Sequence, residues 1–249
     1  AGVTSGVTLM GVKVCSVAEG GCPGAAIVQG ILHAVDNGAD VANMSLGGYF
    51  ARKDNPGYVS ILNKIFNYAK QKNVTFVVSA GNDGVDLDRG LVPTQDGLGR
   101  VRVPSLFKTY CDAEHVICVS ATGPTGSLDH RAGPWYEVDA PAGYTNFGRS
   151  AIDVAAPGGT TSGFIWAACS PFSLVIPVCQ GGTYVYGLAG TSMAAPHVTG
   201  LAALAVEDVG KNPGRVKNYI TRSTDRFGGG NTPFYGKGRI NVGKAVGGS

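Results

Sequence analysis

Ser192 lies in Gly190-Thr191-Ser192-Met193-Ala194-Ala195-Pro196-His197-Val198, a glycine turn that runs into an apolar stretch. The run Val198 to Val206 (VTGLAALAV) is apolar on nearly every face, which predicts a buried helix with Thr191 as its N-cap. Ser192 then sits in the first turn, where its own backbone N–H has no intrahelical acceptor and the helix dipole is positive. A hydroxyl placed there can attack a carbonyl while that N–H donates to the oxyanion that forms. Pro196 cannot donate the bond that would end near Ser192, so the first turn should be slightly opened. The same residues would also make an ordinary capped helix. A second group with chemistry is Asn82 in Ser79-Ala80-Gly81-Asn82, whose amide follows a buried apolar run directly and can donate to an oxyanion; in Asn-Asp-Gly it would equally suit a turn.

A serine hydroxyl needs a general base, itself oriented by a third group. The chain holds four histidines. His197 is five residues beyond Ser192, about 140° around an ideal helix, so it points away from the hydroxyl. His33 falls within a helix, and His115 and His130 fall in loops with no motif around them. All four read as packing or surface residues.

Hydrophobic periodicity gives the elements that must position these groups. Val7 to Val14 (VTLMGVKV) reads as a strand, Ala25 to Asn37 as a helix and Val41 to Ser45 as a short strand. Tyr58 to Lys72 is a second helix, and Thr75 to Ala80 (TFVVSA) is a fully buried strand. That alternation predicts right-handed crossovers and a parallel sheet, an α/β fold. Gly81 to Glu114 is polar and punctuated by glycine, so it reads as a long surface excursion. Val116 to Ala121 returns to the sheet, and Tyr136 to Val138, Ile152 to Ala155 and Thr183 to Leu188 are short strand candidates. Pro213 opens a last helix that runs to about Thr224, and Gly238 to Val242 closes the chain as a short strand.

At 249 residues the chain suits one α/β domain. A charged fraction of 15% and a net charge of +3, without a long basic run, argue against nucleic acid or an anionic membrane as partners. No stretch is long and apolar enough for a membrane span and no signal peptide opens the chain, which therefore reads as soluble and already processed. The six cysteines fall in close pairs, Cys15 with Cys22, Cys111 with Cys118 and Cys169 with Cys179, without a C-x-x-C motif. Local disulfides in a secreted protein account for this spacing, although six cysteines allow about fifteen pairings and reduced core thiols are the alternative. No organic cofactor is called for.

The serine motif matches almost letter for letter the nucleophile motif of the subtilisin family of serine peptidases. Ser45-Leu46-Gly47-Gly48, Ser79-Ala80-Gly81-Asn82, Asn146-Phe147-Gly148 and Asp153-Val154-Ala155-Ala156-Pro157-Gly158 occur with it in family order, so the resemblance covers essentially the whole chain. It implies a three-layer fold with a mainly parallel sheet and helices on both faces, with residues 1–249 as the C-terminal portion of one peptidase domain. It also implies acyl transfer on Ser192 with Asn82 as an oxyanion donor. Ser45, Leu46 and Gly47 would form the edge where an extended peptide adds as a strand, and Ser79, Ala80 and Gly81 the facing wall of a roomy, mainly apolar pocket. Structural calcium is implied at Glu114, Val116 and Asp153, through backbone carbonyls of one loop and a carboxylate of another.

The family order is Asp, then His, then Ser, yet the chain contains neither the aspartate motif nor the histidine motif upstream of Ser192. Ala1 to Val14 resembles the strand that follows the family's histidine helix. The expectation is therefore that an N-terminal segment supplies both residues, together with a strand that belongs inside the sheet. The alternative is a non-catalytic remnant that binds peptides.

Overall fold

The computed structural model describes residues 2–18, 20–89, 94–95, 101–102, 106–108, 110–227 and 231–247. Its centre is a six-stranded sheet of β1 (Val41–Met44), β2 (Thr75–Ser79), β3 (Val116–Thr122), β4 (Val154–Pro157), β5 (Thr224–Asp225) and β6 (Arg239–Ile240). The order across the sheet is β1-β2-β3-β4-β6-β5, parallel throughout except for the β5/β6 pair. Every residue of β2 and β3 is buried. Unbroken apolar runs of this kind form when helices cover both faces of a parallel sheet.

Among the described residues five helices do so: α1 (Gly24–Asp36), α2 (Pro56–Gln71), α3 (Thr191–Val209), α4 (Pro213–Arg222) and the short α5 (Val242–Gly247). The period of two in the strands divides the core. Phe76, Val78, Val116 and Cys118 pack with Ile31, Leu62 and Phe66 of α1 and α2 on one face. Val77, Ile117, Val119 and Ala121 pack with Ala194, Val198, Leu201, Val216 and Ile220 of α3 and α4 on the other. This is the three-layer α/β architecture expected from the sequence.

Three expectations change. Val7 to Val14 forms no strand: among the described residues it joins no ladder, and Leu9 is 88% exposed. Its far end packs by side chains alone, since a Cβ added to Gly30 of α1 would lie 2.3 Å from Val14 Cγ1. Strand propensity becomes a strand only where a neighbour accepts the ladder, and β1, at the sheet edge, has no partner beyond it among the described residues. Asn43 of β1 is accordingly exposed.

Second, α3 is not buried all round. Ala194, Ala195, Val198, Leu201, Ala202 and Ala205 are fully covered, whereas Met193, Gly200, Ala203 and Leu204 are only half covered and Pro196 is exposed. Third, the excursion from Gly81 to Glu114 is not wholly on the surface. Leu106–Lys108 pairs with Tyr49–Ala51, Phe107 stacks on Phe50 at 4.8 Å, and Phe107 and Tyr110 are buried. Much of 90–109 lies outside the described residues.

Trp135–Tyr136 pairs with Gly126–Ser127 outside the main sheet, and Val185–Leu188 forms a hairpin with Ile165–Ala168, which leads into Gly190. The three cysteine pairs are disulfides in the local pairing. The Cys15–Cys22 bridge sits just before α1.

Candidate active site

The loops after β1, β2 and β4 converge on the N-terminus of α3, at the carboxyl ends of the strands where open α/β sheets place their ligands. Gly158, after β4, makes this approach possible: a Cβ there would lie 2.5 Å from Ala121 Cβ and 2.8 Å from the Gly190 carbonyl. The Gly190 N–H in turn donates to the Gly158 carbonyl at 2.9 Å.

Thr191 is not the N-cap. Gly190 holds that position, and Thr191 is the first helical residue, fully buried. Its N–H and hydroxyl both donate to Asn82 Oδ1 at 2.9 Å, and its hydroxyl accepts from the Gly81 N–H at 3.1 Å. Two donors on Oδ1 fix the Asn82 amide, so that Nδ2 points away from Thr191. Among the described residues Asn82 Nδ2 and the Ser192 N–H donate to no protein acceptor. Two unengaged donors flanking a serine hydroxyl are what an oxyanion needs.

Pro196 has the expected effect on the helix, with a further consequence. The Ser192 carbonyl that Pro196 cannot bond is taken by the Ser45 hydroxyl at 2.8 Å. Ser45 Oγ accepts from Asn43 Nδ2 at 3.0 Å, and Asn43 Oδ1 accepts from the Thr199 hydroxyl at 3.0 Å. Ser192 is thereby tied to the end of β1, and Ser192 Oγ donates to the Ser45 carbonyl at 3.4 Å.

Leu46, Gly47, Gly48, Ser79, Gly81, Asn82, Thr191 and Ser192 line one cavity of about 310 Å³, together with Tyr49 and Asp83. Of the expected wall residues, Ala80 is the exception: it is fully buried behind the wall, with its carbonyl accepting from Asn146 Nδ2 at 2.8 Å. Ser45 acts through its bonds to Ser192 rather than as part of the lining. Asn146, fully buried, belongs to a family motif but has no role legible in the sequence. Its Oδ1 accepts from the N–H groups of Asp83 and Val85 at 3.0 and 3.1 Å, holding the turn that carries Asn82.

Tyr49 and Asp83 were missed. The Tyr49 hydroxyl donates to Asp83 and accepts from Asn146 Nδ2 at 2.7 Å. Burial, then the bond to Asp83, pushes the Tyr49 phenol well above its ordinary range, so it stays neutral. The Asn-Asp-Gly turn was the available signal for Asp83, which follows Asn82 directly into the same cavity lining.

No histidine reaches Ser192 among the described residues. His197 Nδ1 bonds the Met193 carbonyl at 2.8 Å, His33 lies beside Asn37, His130 meets Phe164 edge-on, and His115 is 3.7 Å from Glu114. Among those residues the structure therefore brings together a serine hydroxyl and two unengaged N–H donors, with no histidine beside them.

A model of the subtilase family matches residues 1–238. The chain belongs to the subtilase family. It is 30% identical over 220 residues to a thermophilic serine proteinase of Bacillus sp. (strain AK1), covering 88% of this chain and 41% of that protein. Thermitase of Thermoactinomyces vulgaris is 29% identical over 221 residues, 89% of this chain and 59% of thermitase. The chain thus spans about half the length of these two relatives. Among solved structures, a lanthipeptide protease superposes with a TM-score of 0.71 at 23% identity, covering 95% of this subtilase chain and 68% of that one, which is a likeness of fold.

The calcium ligands implied by the family do not fit a metal in this subtilase. Val116 O and Asp153 are brought together, but both contact Lys217 Nζ.

Proposed function

We propose that this chain carries the nucleophile and oxyanion hole of a secreted serine endopeptidase. Ser192 forms the acyl-enzyme, and the Ser192 N–H and Asn82 Nδ2 stabilise the tetrahedral oxyanion. An N-terminal segment supplies the histidine base and its aspartate. The observation that carries this reading is the locking of Asn82 Oδ1 by Thr191, which leaves the amide donor free beside the serine. A peptide-binding remnant would have no use for that pairing. The segment is supported by the unpartnered edge of β1, the unpaired stretch from Val7 to Val14 and the half-covered face of α3. Three disulfides favour an oxidising, extracellular setting.

The test is covalent labelling of the protein together with its N-terminal segment by a fluorophosphonate, followed by peptide mapping. Adduct on Ser192, absent in Ser192→Ala, is expected. An unlabelled protein that still binds extended peptides would favour the remnant instead.

Substrate enters as a strand along Ser45 to Gly48, with one side chain in the 310 Å³ cavity. Gly47, Gly48 and Gly81 leave room for large apolar side chains, but the Asp83 carboxylate adds a negative charge at the lining. Asp83→Asn should lower the ratio of kcat/KM for arginine over leucine at the position before the cleaved bond by about two- to fivefold, the worth of one solvent-exposed charge pair. An unchanged ratio across paired peptide substrates would remove Asp83 from specificity.

A further inference from the structure

We propose that Lys217 is the resident cation at the junction of β3 and β4, and that this subtilase holds no calcium there. Lys217 Nζ lies 3.0 Å from the Val116 carbonyl, to which it donates, and 2.7 Å from Asp153 Oδ1. Those are two of the three expected calcium ligands. The other carboxylate oxygen, Asp153 Oδ2, accepts the Cys118 N–H at 2.9 Å, so the carboxylate is engaged on both sides. Calcium takes six to eight oxygens at about 2.3–2.6 Å. A donor ammonium already between carbonyl and carboxylate leaves no room for that shell and repels a divalent ion.

The helix fixes the Lys217 backbone beside the strand ends, with its side chain 39% exposed. Val216 and Ile220, which flank Lys217 on α4, are fully buried against the sheet. Lys217 therefore does with a tethered charge what a bound ion would do, joining α4 to two neighbouring strands, and a chelator cannot remove it.

The experiment is thermal melting of the protein in calcium and in EDTA, for the unsubstituted chain, Lys217→Met, Asp153→Asn and Lys217→Met/Asp153→Asn. Calcium bound elsewhere would shift all four alike, so the quantity read is the difference among them. Lys217→Met should lower Tm in EDTA by about 3–10 °C, because it leaves a part-buried carboxylate and carbonyl unpaired. Calcium should restore part of that loss, and the restoration should vanish in the double variant. A calcium increment in the unsubstituted protein that Asp153→Asn abolishes, or an unchanged Tm in Lys217→Met, would overturn the proposal. If Lys217→Met does not fold, terbium titration still decides. Equal emission from the unsubstituted protein and Asp153→Asn is expected, and emission lost with Asp153 overturns the assignment.

Discussion

Purified without any N-terminal segment, the chain is expected to hydrolyse peptides about a millionfold more slowly than the completed protein, a magnitude carried over from subtilisin by family membership rather than obtained from this geometry. The physical basis is local. Ser192 Oγ donates to a backbone carbonyl at 3.4 Å, and a carbonyl cannot take up the proton that the hydroxyl must lose on attack. Asn82 Nδ2 and the Ser192 N–H stay unengaged regardless, so under the proposed mechanism a residual acceleration of roughly a thousandfold over water should persist. Ser192→Ala should bring the completed protein down to the same level. The measurement is turnover of a peptide substrate by each preparation, with active-site titration to correct for contaminating protease. Full turnover by the isolated chain, or activity surviving Ser192→Ala, would show that another residue is the nucleophile or that one of His33, His115 and His130 serves as base.

Asn82→Ala in the completed protein should lower kcat by about a hundred- to a thousandfold with KM nearly unchanged, because its amide is needed mainly once the oxyanion forms. The substitution also removes the acceptor for both Thr191 donors, so some stability is lost as well, on the order of 1–3 kcal/mol for buried groups left unpaired. Thr191→Val separates the two effects, since it disturbs the lock on Asn82 and leaves the amide donor in the protein. A drop in kcat much smaller than that of Asn82→Ala is expected for it, at a comparable shift in Tm. If Asn82→Ala raised KM and spared kcat, its amide would be a ground-state substrate contact and the oxyanion assignment would fall.

The sequence by itself determined the parts whose physics is local. Apolar runs without alternation could only be strands covered on both faces, and β2 and β3 are buried along their whole length. Proline at the first helical position marked α4, and Pro196 made the opened turn at Ser192 foreseeable. Ser192 was legible because it opens a helix, where an unspent N–H is a property of the terminus itself, and Asn82 because its amide directly follows a buried strand; that its Nδ2 is left unengaged was decided by Thr191, 109 residues away. Tertiary structure decided everything that depended on a partner distant in the chain. Val7 to Val14 has the composition of a strand, but its ladder requires a neighbour, and none lies beside it among the described residues. Asn146 reads as one polar residue in a loop until its bonds to Ala80, Asp83, Val85 and Tyr49 make it the support of the oxyanion turn. The cation between Val116 and Asp153 was likewise invisible. Its ammonium comes from a helix 101 residues beyond Val116, and only folding brings a charge from that far along the chain to within bonding distance.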